Sequence, residues 1–153
     1  MDAEVYPDPR VREFVSRQFV PVRVHVKENA EAYRALADRY DAQWTPTILV
    51  LDRSGTERHR IEGFLPADEF RAQLALGIAK AAFARKDYAA AERLYRDVVD
   101  RFPEADAAAE AQYWAGVSKY RATNDPAALK ATAEAFSNRY QSSTWATKAS
   151  VWK

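Results

Sequence analysis

Two kinds of hydrophobic periodicity divide the chain. Up to about residue 70 the apolar positions switch between helical and strand spacing; beyond it they keep to helical spacing. Asp8-Pro9 is a helix-start signal, an N-cap followed by proline at the first helical position. Val11, Phe14 and Val15 then recur at helical spacing, and Gln18 and Phe19 close the segment. Val20, Val22, Val24 and Val26 alternate with Pro21, Arg23 and His25, which predicts a strand over 20–26, with Pro21 at its start where a missing donor costs least. A helix is predicted over 30–40, with Tyr33, Leu36, Ala37 and Tyr40 on one face. Trp44-Thr45-Pro46 interrupts the pattern, and the apolar run Thr47–Leu51 predicts a strand covered on both faces. Asp52–Gly55 reads as a turn in which glycine supplies a positive φ. Thr56–Glu62 reads as the antiparallel return, ended by Gly63, and Pro66-Ala67-Asp68-Glu69 as the start of a helix through Phe70, Leu74 and Ile78.

The second half carries only two glycines (Gly77, Gly116) and two prolines (Pro103, Pro126), and alanine becomes abundant. Ala75, Ile78, Ala79 and Ala82 form the small, apolar side of one helix; Tyr88, Ala91, Tyr95 and Val98, followed by Pro103, form that of a second. A degenerate second copy follows about 37 residues later, with Gly116 at the place of Ala79 and Ala128 at that of Ala91. Residues 144–153 read as the first turns of a further, capping helix. The fold class expected is therefore an α/β N-terminal part over 1–80 with an incomplete sheet, plus all-α helical repeats over 71–153. A helix over about 66–85 would be shared between them and make one rigid body.

The order helix, strand, helix, strand, hairpin, strand, helix resembles the thioredoxin-like fold. The residues that carry the resemblance are Val20–Val26, the Thr45-Pro46-Thr47 loop, the run to Asp52, the hairpin to Gly63 and the helix from Pro66. The opening residues 1–11 are similar to the stretch that follows Cys-x-x-Cys in a subgroup of bacterial thioredoxin-like proteins. The resemblance implies a cis-proline at Pro46, in a loop that presents a backbone edge to substrate peptide. It also implies a strand between 20–26 and 47–51 that has no counterpart here, along with the redox motif. Three readings of that gap stand side by side. The natural protein is longer (for instance, an upstream selenocysteine codon was read as a stop); the two strands close up into a three-stranded sheet; or a partner donates the strand at the open edge. The whole comparison requires 20–26 and 47–51 to share one sheet. The helical half is similar to tetratricopeptide repeats, of a variant seen in bacterial envelope and assembly factors.

Composition narrows the chemistry. The 153 residues are 48% apolar and 29% charged, the balance of a globular chain. Lys+Arg (23) against Asp+Glu (22) leaves +1, which argues against a strongly basic nucleic-acid binder. Residues 1–70 hold 10 basic and 13 acidic groups and residues 71–153 hold 13 and 9, a sign change that fits a boundary near Gly63–Pro66. With no cysteine, the chain contains no thiolate nucleophile, disulfide or Cys-ligated metal; two histidines, His25 and His59, make a His-rich metal site unexpected. His25 reads as a satisfied strand residue and His59 as part of a solvated face. Asp68-Glu69 and Asp2/Glu4 read as helix-start charges. No glycine-rich phosphate loop, membrane-spanning run or signal peptide is present, so the default compartment is the cytoplasm, or the periplasm if the natural chain is longer.

The candidate binding residues are Trp44, Thr45 and Pro46 in the loop and Trp145 and Trp152 near the chain end, seven apart on one helical face. No cofactor, metal or nucleic acid is expected. Two functions of different class follow. One is a non-catalytic interaction module, an adaptor or accessory subunit with a partner at the open sheet and at the C-terminal aromatics. The other is the back portion of a thiol oxidoreductase whose redox motif lies upstream of Met1.

Overall fold

The computed structural model describes all 153 residues, and Asp8 opens its first helix as the sequence predicts. Asp8 accepts a hydrogen bond from Arg10 N (2.8 Å) and caps α1 (Pro9–Gln18), which stops at Phe19 where the backbone turns extended. α2 (Ala30–Tyr40) ends on Asp41 in the left-handed region. β1 (Thr47–Leu51) and β2 (Glu57–Glu62) pair antiparallel, with Ile48 opposite Ile61 and Val50 opposite His59. Gly55 (φ 77°) makes the turn between them and Gly63 (φ 82°) the exit, both conformations that favour glycine. α3 (Ala67–Ala84) follows, then α4 (Tyr88–Arg101), α5 (Asp106–Thr123), α6 (Ala127–Asn138), α7 (Thr144–Ala149) and a 3₁₀ turn, Ser150–Trp152. No helix is long and apolar enough to cross a membrane. Two compact units are formed, Met1–Arg71 and Ala72–Lys153.

In the first unit the predicted strand over 20–26 does not form. Residues 19–25 run without regular structure and 26–29 turn into α2; Val20 is 92% and Val22 81% exposed. The sheet has two strands only, so 20–26 and 47–51 share no sheet, and the three-stranded alternative fails with it. The cause is physical: alternating valines make a strand only when a neighbour supplies the ladder bonds, and none lies alongside. His25 accordingly ends in a turn. Its Nδ1 accepts from Lys27 N (3.3 Å) and Glu28 N (3.4 Å), and its own N–H donates to Asn29 Oδ1 (3.3 Å). β1 is also less covered than expected, with Val50 buried, Ile48 and Leu49 half-buried and Leu51 exposed, while His59 is half-buried rather than fully solvated. Asp2 and Glu4 lie in turns, not at a helix start, and Asp2 pairs with Arg23 (2.8 Å). The buried apolar residues of this unit are few: Val5, Val11, Val50, Ile61 and Phe70. Tyr6 meets Phe70 edge-on at 6.0 Å, and Arg10 bridges Asp8 (2.8 Å) and Asp68 (3.0 Å).

The second unit is built on close helix contact. α5 buries Ala107, Ala108, Ala109, Ala111, Ala115 and Gly116, and such small side chains let neighbouring helices approach. α4 contributes Ala91, Tyr95, Val98 and Val99, and α6 contributes Ala128, Thr132, Ala133 and Phe136. All four positions that the repeat offset pairs, Ala79 with Gly116 and Ala91 with Ala128, are buried. The Ser118 hydroxyl is buried without a hydrogen-bond partner.

Gly116 marks the tightest approach. A Cβ placed there would fall on the Thr132 hydroxyl, 2.7 Å from its Cβ and 2.8 Å from its Cγ2. Gly116→Ala gains about 1 kcal/mol of helix propensity but forces α5 and α6 apart, and the net result expected is a loss of about 1–2 kcal/mol. Adding Thr132→Gly, which removes the Cβ along with Oγ1 and Cγ2, relieves the clash at about 1 kcal/mol of helix propensity, whereas Thr132→Ala keeps the 2.7 Å Cβ contact and restores little. Urea unfolding followed by helical circular dichroism measures both; a Gly116→Ala chain as stable as the parent contradicts the contact.

Candidate functional site

The loop between α2 and β1 is held at both ends by polar bonds. On the α2 side, Arg60 of β2 donates to the carbonyls of Tyr40 and Asp41, and its guanidinium also binds Glu57 (2.7 Å). The Glu57 carboxylate, followed by Glu62, raises the Arg60 pKa further above its already high value. The Tyr40 hydroxyl donates to Gly55 O (2.9 Å), tying α2 to the hairpin turn. On the β1 side, Thr47 Oγ1 donates to Trp44 O (2.6 Å), and Gly63 N donates to Pro46 O (2.9 Å). The Thr45–Pro46 peptide bond is cis.

Between these anchors the loop faces solvent. Trp44 is 68% exposed, Thr45 is exposed and Pro46 half-buried. A large apolar ring held outward on a tethered loop can make contacts with another molecule. The loop offers no thiol, and no group of three or more His, Asp or Glu side chains is arranged to hold a metal. β1 has one strand neighbour, so its other edge presents backbone N–H and C=O groups.

Trp145 and Trp152 lie in the other compact unit. They fold back onto α5 and meet at Tyr113, stacked on Trp152 at 4.7 Å and tilted against Trp145 at 5.2 Å. Both indoles remain part-exposed around the buried Ala109, Phe136 and Ala149. The structure thus brings Trp145 and Trp152 together through Tyr113. The clamping role of Arg60 escaped the sequence reading, because its partners lie 19 and 20 residues away and backbone carbonyls leave no residue pattern.

A family model described as a thioredoxin-like domain matches residues 1–78. No curated protein and no solved structure matches the chain.

Two carboxylates couple the first unit to pH. Hydrogen bonds from Arg10, led by its side chain, hold Asp8 down at about 2. The Ser54 hydroxyl, helped by Arg58, holds Asp52 well below the aspartate range. Both pKa values fall on folding, so their stabilisation is complete above pH about 4 and is lost as pH drops towards 2. The amide signals of β1 and β2, followed by NMR against pH, should fade in this window. Asp52→Asn should weaken the hairpin at neutral pH and flatten the acid limb; an unchanged acid limb contradicts the assignment.

Proposed function

The chain belongs to the thioredoxin-like domain family over residues 1–78, and from that premise we propose that it acts as a non-catalytic interaction module, an adaptor or accessory subunit of a larger assembly. A family domain without any cysteine, carrying an anchored and outward-facing Trp44–Pro46 loop, carries this reading. Dithiol exchange needs a thiolate as nucleophile, and these residues have none to offer. What they do offer is contact surface: the Trp44 ring and the open edge of β1, to which a partner's extended segment can add main-chain hydrogen bonds. The helical unit, read as tetratricopeptide-like hairpins, supplies a second surface at Trp145 and Trp152.

A second reading is supported by the same unfilled edge: the chain is the back portion of a thiol oxidoreductase whose redox motif precedes Met1. In-frame codons upstream for a strand pattern and Cys-x-x-Cys, or a selenocysteine codon, select it; a ribosome-binding site directly before Met1 selects the first.

Two measurements test the interaction reading. With dithiothreitol present, the chain should reduce insulin no faster than buffer, and any catalysed rate overturns the non-catalytic assignment. A short peptide of alternating valines, offered in trans, should slow hydrogen exchange of the Thr47–Leu51 amides about tenfold. The same peptide with N-methylated amides should not. Equal effects of the two peptides, or none from either, contradict strand capture.

A further inference from the structure

Aromatic rings form an unbroken row at the surface of the Ala72–Lys153 unit. Tyr88 meets Phe83 at 5.2 Å, Phe83 meets Trp114 at 5.2 Å, Trp114 meets Tyr113 at 5.5 Å and Tyr113 meets Trp152 at 4.7 Å. Trp145 branches from Tyr113 at 5.2 Å. Every ring in the row is part-exposed, whereas Tyr95, Phe102 and Phe136 of the same unit are buried. The row is therefore distinct from the interior.

One cation lies against the Tyr88 end of the row and one against its Trp145 branch. The Arg121 guanidinium lies 4.7 Å from the Tyr88 ring centroid and donates to its hydroxyl (2.7 Å). Lys148 Nζ lies 3.9 Å from the Trp145 centroid. Both side chains belong to exposed residues, and neither forms an ion pair. Glu110, which shares α5 with Trp114, is neutralised by Lys80 at 2.7 Å. The Asp87 carboxylate next to Tyr88 caps α4, accepting from Ala90 N at 3.2 Å. The result is a ring-lined strip against which Arg121 and Lys148 stand without an ion pair, with the Asp87 carboxylate beside its Tyr88 end.

We propose that the Tyr88–Trp152 aromatic row is the docking surface for an extended acidic peptide segment of a partner protein, with proline or aromatic side chains laid across the rings and carboxylates at Arg121 and Lys148. Rigid aromatic rings accept proline and aromatic side chains at low entropic cost. Cations held over ring faces and open to solvent can still pair with a carboxylate. A single-stranded nucleic acid fits less well, because it needs a continuous track of cations along its phosphates, and the row has two, at its Tyr88 end and at its Trp145 branch. The inference rests on the interaction-module reading and names the chemistry of its partner at the helical unit.

Three probes test it, each titrated into the full chain and followed by tryptophan fluorescence: a short Pro/Tyr peptide flanked by glutamates, the same peptide flanked by lysines, and an oligothymidine. The glutamate-flanked peptide should bind, the lysine-flanked one should not, and added salt should weaken binding. Arg121→Gln and Lys148→Gln, both at exposed positions and checked for unchanged circular dichroism, should each lower affinity roughly tenfold. The inference is overturned if the glutamate-flanked peptide does not bind, if the oligothymidine or the lysine-flanked peptide binds more tightly, or if both variants bind as the parent does. The peptides contain no alternating valine strand, and repeating the titrations on a Trp44→Phe chain confines the fluorescence to Trp114, Trp145 and Trp152 of the helical unit. A negative result therefore falls on this inference alone, and the exchange of β1 amides reports on the wider reading separately.

Discussion

Backbone hydrogen bonding at the edge of β1 is the constraint on which the first unit depends. A strand satisfies its N–H and C=O groups through neighbours on both sides, and β1 has one neighbour. A two-stranded sheet alone is marginal in water, so the unit relies on what surrounds the hairpin. Its buried apolar set is small (Val5, Val11, Val50, Ile61, Phe70), while Val20, Val22, Trp44 and Phe64 all face solvent. The single pairing has consequences along the unit: no third strand forms, Val20 and Val22 face solvent, and α2 buries no residue at all.

Polar ties take over part of the work. Arg60 fastens the end of α2 to β2, and Tyr40 fastens it to the turn at Gly55. Asp52 joins Ser54, Thr56 and Arg58 around the hairpin, and Arg10 links the cap of α1 to the first turn of α3 through Asp68. The Asp52–Arg58 pair is largely shielded from water and counts for more than the exposed Arg10–Asp68 pair, because screening leaves an exposed pair little net energy. The second unit has a different economy: Ala79, Ala91, Ala108, Ala111 and Val98 are fully buried, and its helices are held by close packing rather than by ties.

Local signals were legible where the local chain decides the outcome. Asp8-Pro9, Gly55 and Gly63 place element boundaries within a residue or two, because caps and positive φ angles are properties of a few adjacent residues. The order of elements carried the family likeness, and the family match over residues 1–78 agrees with it even though 20–26 lies outside the sheet. Illegible were the features set by distant partners. Val20–Val26 has a strand pattern, yet a strand needs a neighbour that the pattern cannot supply. Phe83 meets Trp114 at a separation of 31 residues and Arg121 meets Tyr88 at one of 33, so the aromatic row emerges only once the helices are packed. Trp145 and Trp152 were visible as a pair seven apart, yet α7 ends at Ala149 and Trp152 lies in the 3₁₀ turn, and what joins the two rings is Tyr113, 32 residues before Trp145 on α5.

Native-state hydrogen exchange on the isolated chain tests most directly whether the first unit is held short of completion by its open edge. The account predicts that Thr47–Leu51 and Glu57–Glu62 amides exchange at least about a hundredfold faster than the buried turns of α4 and α5. Equal protection of the hairpin and of α4 and α5 would contradict it, because a sheet completed within the chain leaves no edge for a partner to fill.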